Sequence, residues 1–343
     1  MRRYVLMFPG QGAQRPSMGA DLAATFPCAR AVFDEVDEAL GRRLSRVMFG
    51  GDAFALNATE TTQPALLAHS VAALRVLASE GGVCARGAVL GHSVGEFPAL
   101  VATGALALAP AARLLALRGK AMASAAAADA ASRGGGERAL PRMVAVILAA
   151  RGGGGGKNDV ESEARAACAA ACKATGLEVG IAALNSPAQL VLSGHAAAVD
   201  AAAADLRARG VAQRALPLAV SAPFHSTIMT PAAAALQDAL DALSNTPAAL
   251  REAAEAPLIS GFNACATGEP DALVKALVAG VTAPVRWADA VASAVRLERE
   301  AGREPFFLEV GPGSTLASLV KTISPGVGVA SVGTVDDVRN LLR

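Results

Sequence analysis

A short run of small residues around one serine is the most chemically informative feature of the sequence. Ser93 lies between Gly91 and Gly95, which is the G-x-S-x-G pattern of a nucleophile elbow. An apolar run at 87–90 precedes the pattern, and a helix-like stretch at 96–108 follows it. Small residues avoid clashes around a strained turn, and a helix start offers N–H groups to a developing oxyanion. We predict a nucleophilic serine; the alternative is a glycine-rich turn whose serine only caps a helix.

A serine nucleophile needs a base, and the chain contains four histidines. We interpret His69 as a packed helix residue and His195 as a turn residue. His92 adjoins Ser93, so its side chain is expected to point away from the hydroxyl on a sharp elbow. Elimination leaves His225, which follows a Pro-Phe pair in a loop, as the candidate base. The alternative is a surface imidazole.

The acid of a conventional triad is hard to find. In hydrolases with this elbow the acid lies between the serine and the histidine in chain order. None of the aspartates in that interval lies at the end of a predicted strand; they are Asp129, Asp159, Asp200 and Asp205. A backbone carbonyl could orient the imidazole instead. The residues considered so far are compatible with a serine hydrolase or thioesterase and with an inactive acyl-binding module.

Arg118 is the other informative residue, because it follows the apolar stretch at 114–117. A lone arginine among leucines is costly unless it is paired or faces an anion. It is therefore either part of a structural salt bridge or exposed helix face, or a bidentate clamp for a substrate carboxylate.

Composition limits the class of protein. A length of 343 residues predicts two domains, or one large domain with an insertion. A net charge of +1 gives no electrostatic case for nucleic acid or a membrane surface. The longest apolar stretch, 97–117, is interrupted by two prolines and an arginine, so we expect no membrane span. The apolar run at 4–8 is too short for a signal peptide.

The five cysteines are scattered, which argues against a disulfide framework and predicts a reducing compartment. Cys168 and Cys172 lie four residues apart on an alanine-rich helix, where packing is a better interpretation than metal binding.

The elements that must position these residues alternate between strands and helices, which predicts an α/β sheet core. Inside it, residues 143–218 predict the order β-α-β-β-α-β of a ferredoxin-like module. Its predicted elements are strand 143–149, helix 159–175, strands 179–184 and 189–192, helix 196–209 and strand 212–218. Glycine runs at 134–136 and 152–156 are predicted to be flexible surface loops around the first strand.

Six short motifs occur in one order along nearly the whole chain. They are FPGQGAQ at 8–14, GHSVGE at 91–96, LRGKAM at 117–122, NSP at 185–187, FHS at 224–226 and EVGPG at 309–313. Together they resemble the malonyl-CoA:acyl carrier protein transacylase family. The resemblance implies an α/β-hydrolase-like large subdomain at 1–138 and 219–343, with an inserted ferredoxin-like small subdomain at 139–218.

The resemblance also implies roles for the reacting groups. Ser93 would be the nucleophile that becomes malonylated, and His225 the base that then protonates the departing coenzyme A thiol. Arg118 would pair with the malonyl carboxylate. The backbone N–H groups of Gln11 and Val94 would form the oxyanion hole.

The same resemblance implies that four further residues bind substrate: Gln63, Met122, Asn185 and Phe224. The bulky Phe224 is typical of malonyl-selective rather than methylmalonyl-selective acyltransferases. The carbonyl that orients the histidine would belong to Gly280. The family often has glutamine there, so this departure predicts a softer loop.

The implied reaction is ping-pong transfer of malonyl from malonyl-CoA to the phosphopantetheine thiol of acyl carrier protein, feeding fatty acid or polyketide chain elongation. We expect no cofactor, no metal, no nucleic acid and no membrane partner. We also expect a monomer located in the cytoplasm, or in an organelle matrix or stroma if a transit peptide has been removed.

Overall fold

A computed structural model describes residues 3–81, 87–134, 136–149, 157–244, 246, 249–253 and 256–343. The predicted loop at 152–156 lies outside them, as does Gly135 of the first glycine run. The strands are β1 (Val5–Phe8), β2 (Val89–Gly91), β3 (Pro141–Leu148), β4 (Val179–Ser186), β5 (Gln189–His195), β6 (Ala212–Pro217), β7 (Leu258–Ile259), β8 (Ala266–Thr267), β9 (Phe306–Val310) and β10 (Gly328–Val332).

The α-helices cover both sheets. They are α1 (Ala20–Thr25), α2 (Pro27–Leu40), α3 (Leu44–Gly50), α4 (Ala53–Asn57), α5 (Thr59–Gly81), α6 (Glu96–Ala102), α7 (Leu108–Ser132), α8 (Lys157–Thr175), α9 (Ala196–Ala208), α10 (Thr230–Ser244), α11 (Pro270–Thr282), α12 (Trp287–Glu300), α13 (Thr315–Ile323) and α14 (Val335–Leu342). Short 3-10 turns lie at Ser93–Gly95, Glu137–Ala139 and Thr227–Met229.

The larger sheet has the order β10-β9-β1-β2-β7-β8. Its pairs are parallel except for β7 with β8. Strand β1 is buried along its whole length, as expected for a parallel strand covered on both faces. The carboxyl ends of β1 and β2 lead into the loops at 9–14 and 92–95, so this edge of the sheet brings the first two motifs together.

The smaller sheet is fully antiparallel, with the order β4-β5-β3-β6. It has its own hydrophobic core, which helices α8 and α9 close. This is the ferredoxin-like arrangement, so the predicted fold class is confirmed. The limits 139 and 218 stay our proposal for the small subdomain. Backbone hydrogen bonds at 2.8 and 2.9 Å join β4 of the smaller sheet to Val285, between α11 and α12.

Single residues shape two of the helices. Helix α5 begins at Thr59, and Pro64 lies inside it. A proline donates no backbone hydrogen bond, and the free carbonyl of Glu60 instead accepts one from Arg42 Nη2 at 3.0 Å. The helix after the elbow ends at Ala102 rather than near residue 108, because Gly104 has a left-handed φ of 76° that stops it.

The described cysteines, Cys28, Cys168, Cys172 and Cys265, are free thiols. Cys168 and Cys172 pack against the core of the small sheet. The described residues contain no cluster of three or more His, Cys, Asp or Glu side chains that could hold a metal ion. Within the same part of the chain, each helix is too short or too polar to cross a bilayer.

Candidate active site

The elbow holds Ser93 in a strained turn directly after β2. Its φ of 55° is left-handed, which costs a residue with a side chain about 1–2 kcal/mol. The two flanking glycines are required sterically. A Cβ on Gly91 would overlap the backbone of Gly95, and a Cβ on Gly95 would overlap the carbonyl oxygen of Phe8. The strand and the helix therefore approach closely enough to present the serine hydroxyl at the sheet edge.

His225 lies next to this hydroxyl, in the loop between β6 and the 3-10 turn before α10. Its Nε2 is 2.8 Å from Ser93 Oγ, and its own φ is also left-handed, at 57°. Its Nδ1 is 2.8 Å from the carbonyl oxygen of Gly280 and 3.1 Å from that of Ala283. Carbonyl oxygens only accept, so Nδ1 carries the proton and Nε2 is free to accept one from the serine.

The imidazole is thus oriented by backbone carbonyls, and no carboxylate among the described residues hydrogen-bonds it. Burial, the Arg118 charge and His92 lower the pKa of His225 to about 3. In the free protein the ring is therefore neutral at ordinary pH, which is the form that can act as a base.

Arg118 extends from α7 to the other side of the serine. The side chain is only 4% exposed. Nη1 donates to Gln63 Oε1 at 2.8 Å, and Nη2 donates to Ser93 Oγ at 3.3 Å. Burial lowers the pKa of Arg118 to about 10, and the opposite charge of Glu96 partly counters this effect. Arg118 is neither exposed nor salt-bridged to any described residue, so it is a buried cation beside the nucleophile.

Gln63 fixes that guanidinium from α5. Its Nε2 donates to Gln11 Oε1 at 3.2 Å and approaches Met122 Sδ at 3.5 Å. Both Gln63 and Met122 are fully buried. The backbone N–H groups of Gln11 and Val94 donate to no acceptor within the described chain. They remain available for a ligand oxygen.

Two cavities meet at Ser93 and His225. A cleft of about 290 Å³ opens between the two sheets, with Phe224 and Asn185 in its wall. A second cavity of about 10 Å³ has room for one water molecule. Its wall includes Arg118, which does not line the cleft. The reacting hydroxyl therefore stands between a wide channel and a small cationic chamber.

Asn185 lies apart from the arginine group. Its Oδ1 accepts from His92 Nε2 at 3.0 Å, and its Nδ2 donates to Gln189 Oε1 at 3.2 Å. The centre of the His92 ring lies 5.6 Å from that of the Trp287 ring. Asn185 thus contributes to the cleft wall and supports His92.

Sequence reasoning assigned no role to Glu96, which the structure places in the wall of the small cavity. Its side chain is buried, and Oε1 accepts from Ser260 Oγ at 3.0 Å and from the Gly261 N–H at 2.8 Å. Burial raises the pKa of Glu96 to about 7, against the effects of these donors and of Arg118. The sequence feature that could have drawn attention to Glu96 is its position, because it is an acidic residue on the first turn of an otherwise apolar helix.

The prediction for His195 was wrong. It is the last residue of β5 and is buried, not a turn residue. Its Nδ1 accepts from the Glu178 N–H at 2.9 Å, and its Nε2 donates to Asp129 Oδ2 at 2.6 Å. That carboxylate comes from α7, a pairing that no local pattern reveals. His69 is a packed helix residue as predicted, and its Nε2 donates to the Gly333 carbonyl at 2.8 Å.

Comparison with known proteins gives a consistent result. The sequence profile of the acyl transferase domain matches residues 5–149. Over 326 residues the chain is 37% identical to the malonyl CoA-acyl carrier protein transacylase of Escherichia coli, covering 94% of this chain and 93% of the relative. The Bacillus subtilis protein of the same name is 35% identical over 324 residues, with 94% and 91% covered.

Solved structures agree in fold. A malonyl-transacylase in complex with a type II PKS acyl-carrier protein superposes with a TM-score of 0.84 at 33% identity, covering 99% of both chains. The acyl-carrier-protein-S-malonyltransferase of Bartonella henselae gives a TM-score of 0.83 at 34% identity, covering 100% of this chain and 99% of the other.

Proposed function

Because the chain belongs to the malonyl-CoA:acyl carrier protein transacylase family, we propose that it carries malonyl groups from malonyl-CoA to acyl carrier protein on Ser93. The transfer is ping-pong, through a malonyl-serine ester, and it feeds fatty acid or polyketide chain elongation. The observation that carries this proposal is Arg118, a buried cation that forms no salt bridge with a described residue and lies 3.3 Å from the serine oxygen.

The first half-reaction begins with the Ser93 hydroxyl, which gives its proton to His225 Nε2 as Oγ attacks the thioester carbonyl carbon. The negative charge that develops on the carbonyl oxygen is stabilised by the N–H groups of Gln11 and Val94. When the intermediate collapses, the carbon–sulfur bond breaks and His225 returns the proton to the coenzyme A sulfur. Backbone carbonyls at Gly280 and Ala283 keep the imidazole in the required tautomer throughout.

Arg118 selects the acyl group. Once Ser93 Oγ is part of an ester it becomes a poor acceptor, which frees Nη2 to donate to the malonyl carboxylate. Gln63 keeps the guanidinium in place through its 2.8 Å bond to Nη1. An acetyl group gains no such charge-assisted hydrogen bond. Phe224, in the cleft wall, would crowd an α-methyl branch and so favour malonyl over methylmalonyl.

The second half-reaction reverses these steps. The phosphopantetheine thiol of acyl carrier protein enters through the same cleft and gives its proton to His225 as it attacks the malonyl ester. The cleft's volume of about 290 Å³ suits a slender arm of this kind, with Asn185 in the wall and Met122 behind the arginine group. A monomeric state, a cytoplasmic location and independence from cofactors stay predictions.

The experiment is an intact-mass measurement of the protein mixed with malonyl-CoA, with and without phosphopantetheinylated acyl carrier protein. We expect one malonyl adduct on the wild type, none on Ser93→Ala, and loss of the adduct when the carrier protein is added. A thioesterase would release free malonate without carrier protein. An acyl-binding module would give no adduct, and an adduct that persists in Ser93→Ala would contradict the assigned nucleophile.

A further inference from the structure

The small cavity beside Ser93 contains two opposite charges, and the mechanism above uses only one of them. Arg118 and Glu96 both line it, together with Ser93, His225 and Gly280. The Glu96 carboxylate is held by donors to Oε1 only, within the described residues. Its Oε2 faces Gly280, where a built Cβ would lie 3.8 Å away. The glutamate therefore presents one oxygen toward the space beside the catalytic pair.

A malonyl carboxylate must share this space. Arg118 lines the small cavity but not the cleft, so a carboxylate that reaches the guanidinium places an oxygen in the water-sized chamber that Glu96 also lines. The chamber would then hold two carboxylates against one guanidinium. A second buried negative charge without a second cation is strongly unfavourable, and carboxylates that share a site relieve it by binding a proton.

We propose that Glu96 is the resident counter-charge of Arg118 and that it binds one proton when a malonyl carboxylate enters the chamber. The inference rests on the proposed function, because it needs a carboxylate-bearing acyl group at Ser93. Glu96 is then a specificity-determining residue: a neutral acyl group leaves the Glu96–Arg118 pair undisturbed, whereas a charged acyl group must replace Glu96 as the partner of Arg118.

The other groups around Glu96 do not titrate in the window where it would. Arg118, on α7, has a pKa lowered only to about 10. His225 has its pKa lowered to about 3, and burial lowers that of His92. The turn at Ser260–Gly261 and the last turn of α11 contribute no ionisable side chain to the chamber. Between pH 6 and 9, Glu96 is thus the group of this cluster that changes charge, because its pKa is raised to about 7.

The consequence is a proton-linked affinity with a definite sign. Above its pKa the free protein holds Glu96 ionised, so malonyl binding must take a proton from the solvent. Apparent affinity for malonyl-CoA should therefore fall by up to about tenfold per pH unit above pH 7. Affinity for acetyl-CoA should not, since acetyl brings no negative charge to the acyl chamber.

The test is calorimetric titration of Ser93→Ala with malonyl-CoA at pH 8, in phosphate and in Tris, which differ in ionisation enthalpy. We expect uptake of about 0.9 proton, because a group with a pKa of about 7 is roughly 90% ionised at that pH. The double variant Ser93→Ala with Glu96→Gln should take up none, and acetyl-CoA should cause no uptake. Malonyl binding without proton uptake, or equal uptake in the Gln variant, overturns the proposal.

If Ser93→Ala binds malonyl-CoA too weakly for calorimetry, a kinetic measurement tests the same proposal. In protein with Ser93 intact, kcat/KM for release of coenzyme A from malonyl-CoA should decline above pH 7, and in Glu96→Gln it should be flat. Ser260→Ala removes one donor to the carboxylate but not its charge, so the midpoint of the decline should shift upward. If Glu96→Gln does not fold, the midpoint of the pH profile in Ser260→Ala still tests the proposal, and an unshifted midpoint contradicts it.

The two hypotheses can fail separately. The malonyl adduct on Ser93, measured by intact mass, tests the proposed function irrespective of proton uptake. An adduct without proton uptake rejects only the role of Glu96, whereas the absence of an adduct rejects the proposed function.

Discussion

Replacing Arg118 by alanine should convert a malonyl-selective protein into one that barely distinguishes malonyl from acetyl. The guanidinium is buried and donates to Gln63 and Ser93, and it forms no salt bridge with a described carboxylate. A malonyl carboxylate that enters this chamber would be equally buried. Without Arg118 it would be an unpaired charge beside Glu96.

The magnitude follows from that burial. Removing one partner of a buried charge pair costs about 3–5 kcal/mol. Each 1.36 kcal/mol is about a factor of ten in rate, so kcat/KM for malonyl-CoA should fall by roughly two to nearly four powers of ten. Acetyl-CoA loses only the hydrogen bond from Nη2 to Ser93 Oγ, which is worth about 1 kcal/mol. It also gains from a more basic His225, because the Arg118 charge no longer lowers the pKa of that ring.

The assay is the initial rate of coenzyme A release from malonyl-CoA and from acetyl-CoA, compared as a ratio of kcat/KM values. Arg113→Ala is the matched control, since Arg113 lies on the same helix but is exposed and donates to the Ala39 carbonyl at 3.1 Å. The control should keep the wild-type ratio. If Arg118→Ala lowers both rates equally, the arginine is a structural residue and the reasoning about selectivity is wrong.

Three further changes test the packing and electrostatics of the site. Gly119→Ala would place a Cβ 2.6 Å from the Thr59 carbonyl oxygen, so α5 and α7 must separate. We expect the free energy of unfolding, measured with denaturant, to fall by about 1–3 kcal/mol, and unchanged stability contradicts the close approach. The added Cβ of Gly280→Ala meets nothing closer than 3.8 Å, so the variant should gain about 0.5–1 kcal/mol of helix stability. The backbone carbonyl of residue 280 still accepts from His225, so a loss of more than a few-fold in activity would contradict its assigned role. Burial lowers the pKa of His69 to about 4, so below its ordinary pKa of 6.5 the unfolded chain binds a proton that the folded chain does not. The His69 contribution to the free energy of unfolding should fall by about 2 kcal/mol between pH 7 and pH 5, in addition to the fall from His225, whose pKa is also lowered, and a flat profile refutes the assignment.

The resemblance drawn from six short motifs is confirmed by relatives that match over most of the chain. The elbow could be predicted because its constraints are local: a serine at positive φ between two glycines that admit no side chain. The ferredoxin-like order could be predicted because periodicity and turn residues mark each of its elements. Helix limits were less accurate where a single residue, such as Gly104, decides where the chain turns.

Long-range partners could not be predicted. The hydrogen bond between His195, at the end of β5, and Asp129, on α7, joins residues 66 positions apart, and nothing near either residue signals it. Glu96 was visible in its motif, but its raised pKa comes from burial that only tertiary packing creates, and this burial outweighs the opposite effect of the donors Ser260 and Gly261. Residue types reveal which groups can react, whereas their environment decides in which charge state they do so.

The most direct test of the central claim is the fate of the isolated malonyl-protein. Protein labelled with malonyl-CoA and freed of nucleotide would be divided between buffer alone and buffer with phosphopantetheinylated acyl carrier protein, then followed by intact mass. We predict that the Ser93 adduct persists in buffer and disappears on addition of the carrier protein, with malonyl appearing on the carrier thiol. Loss of the adduct as free malonate at the same rate in both samples would contradict the account, since Ser93 would then be a hydrolytic serine.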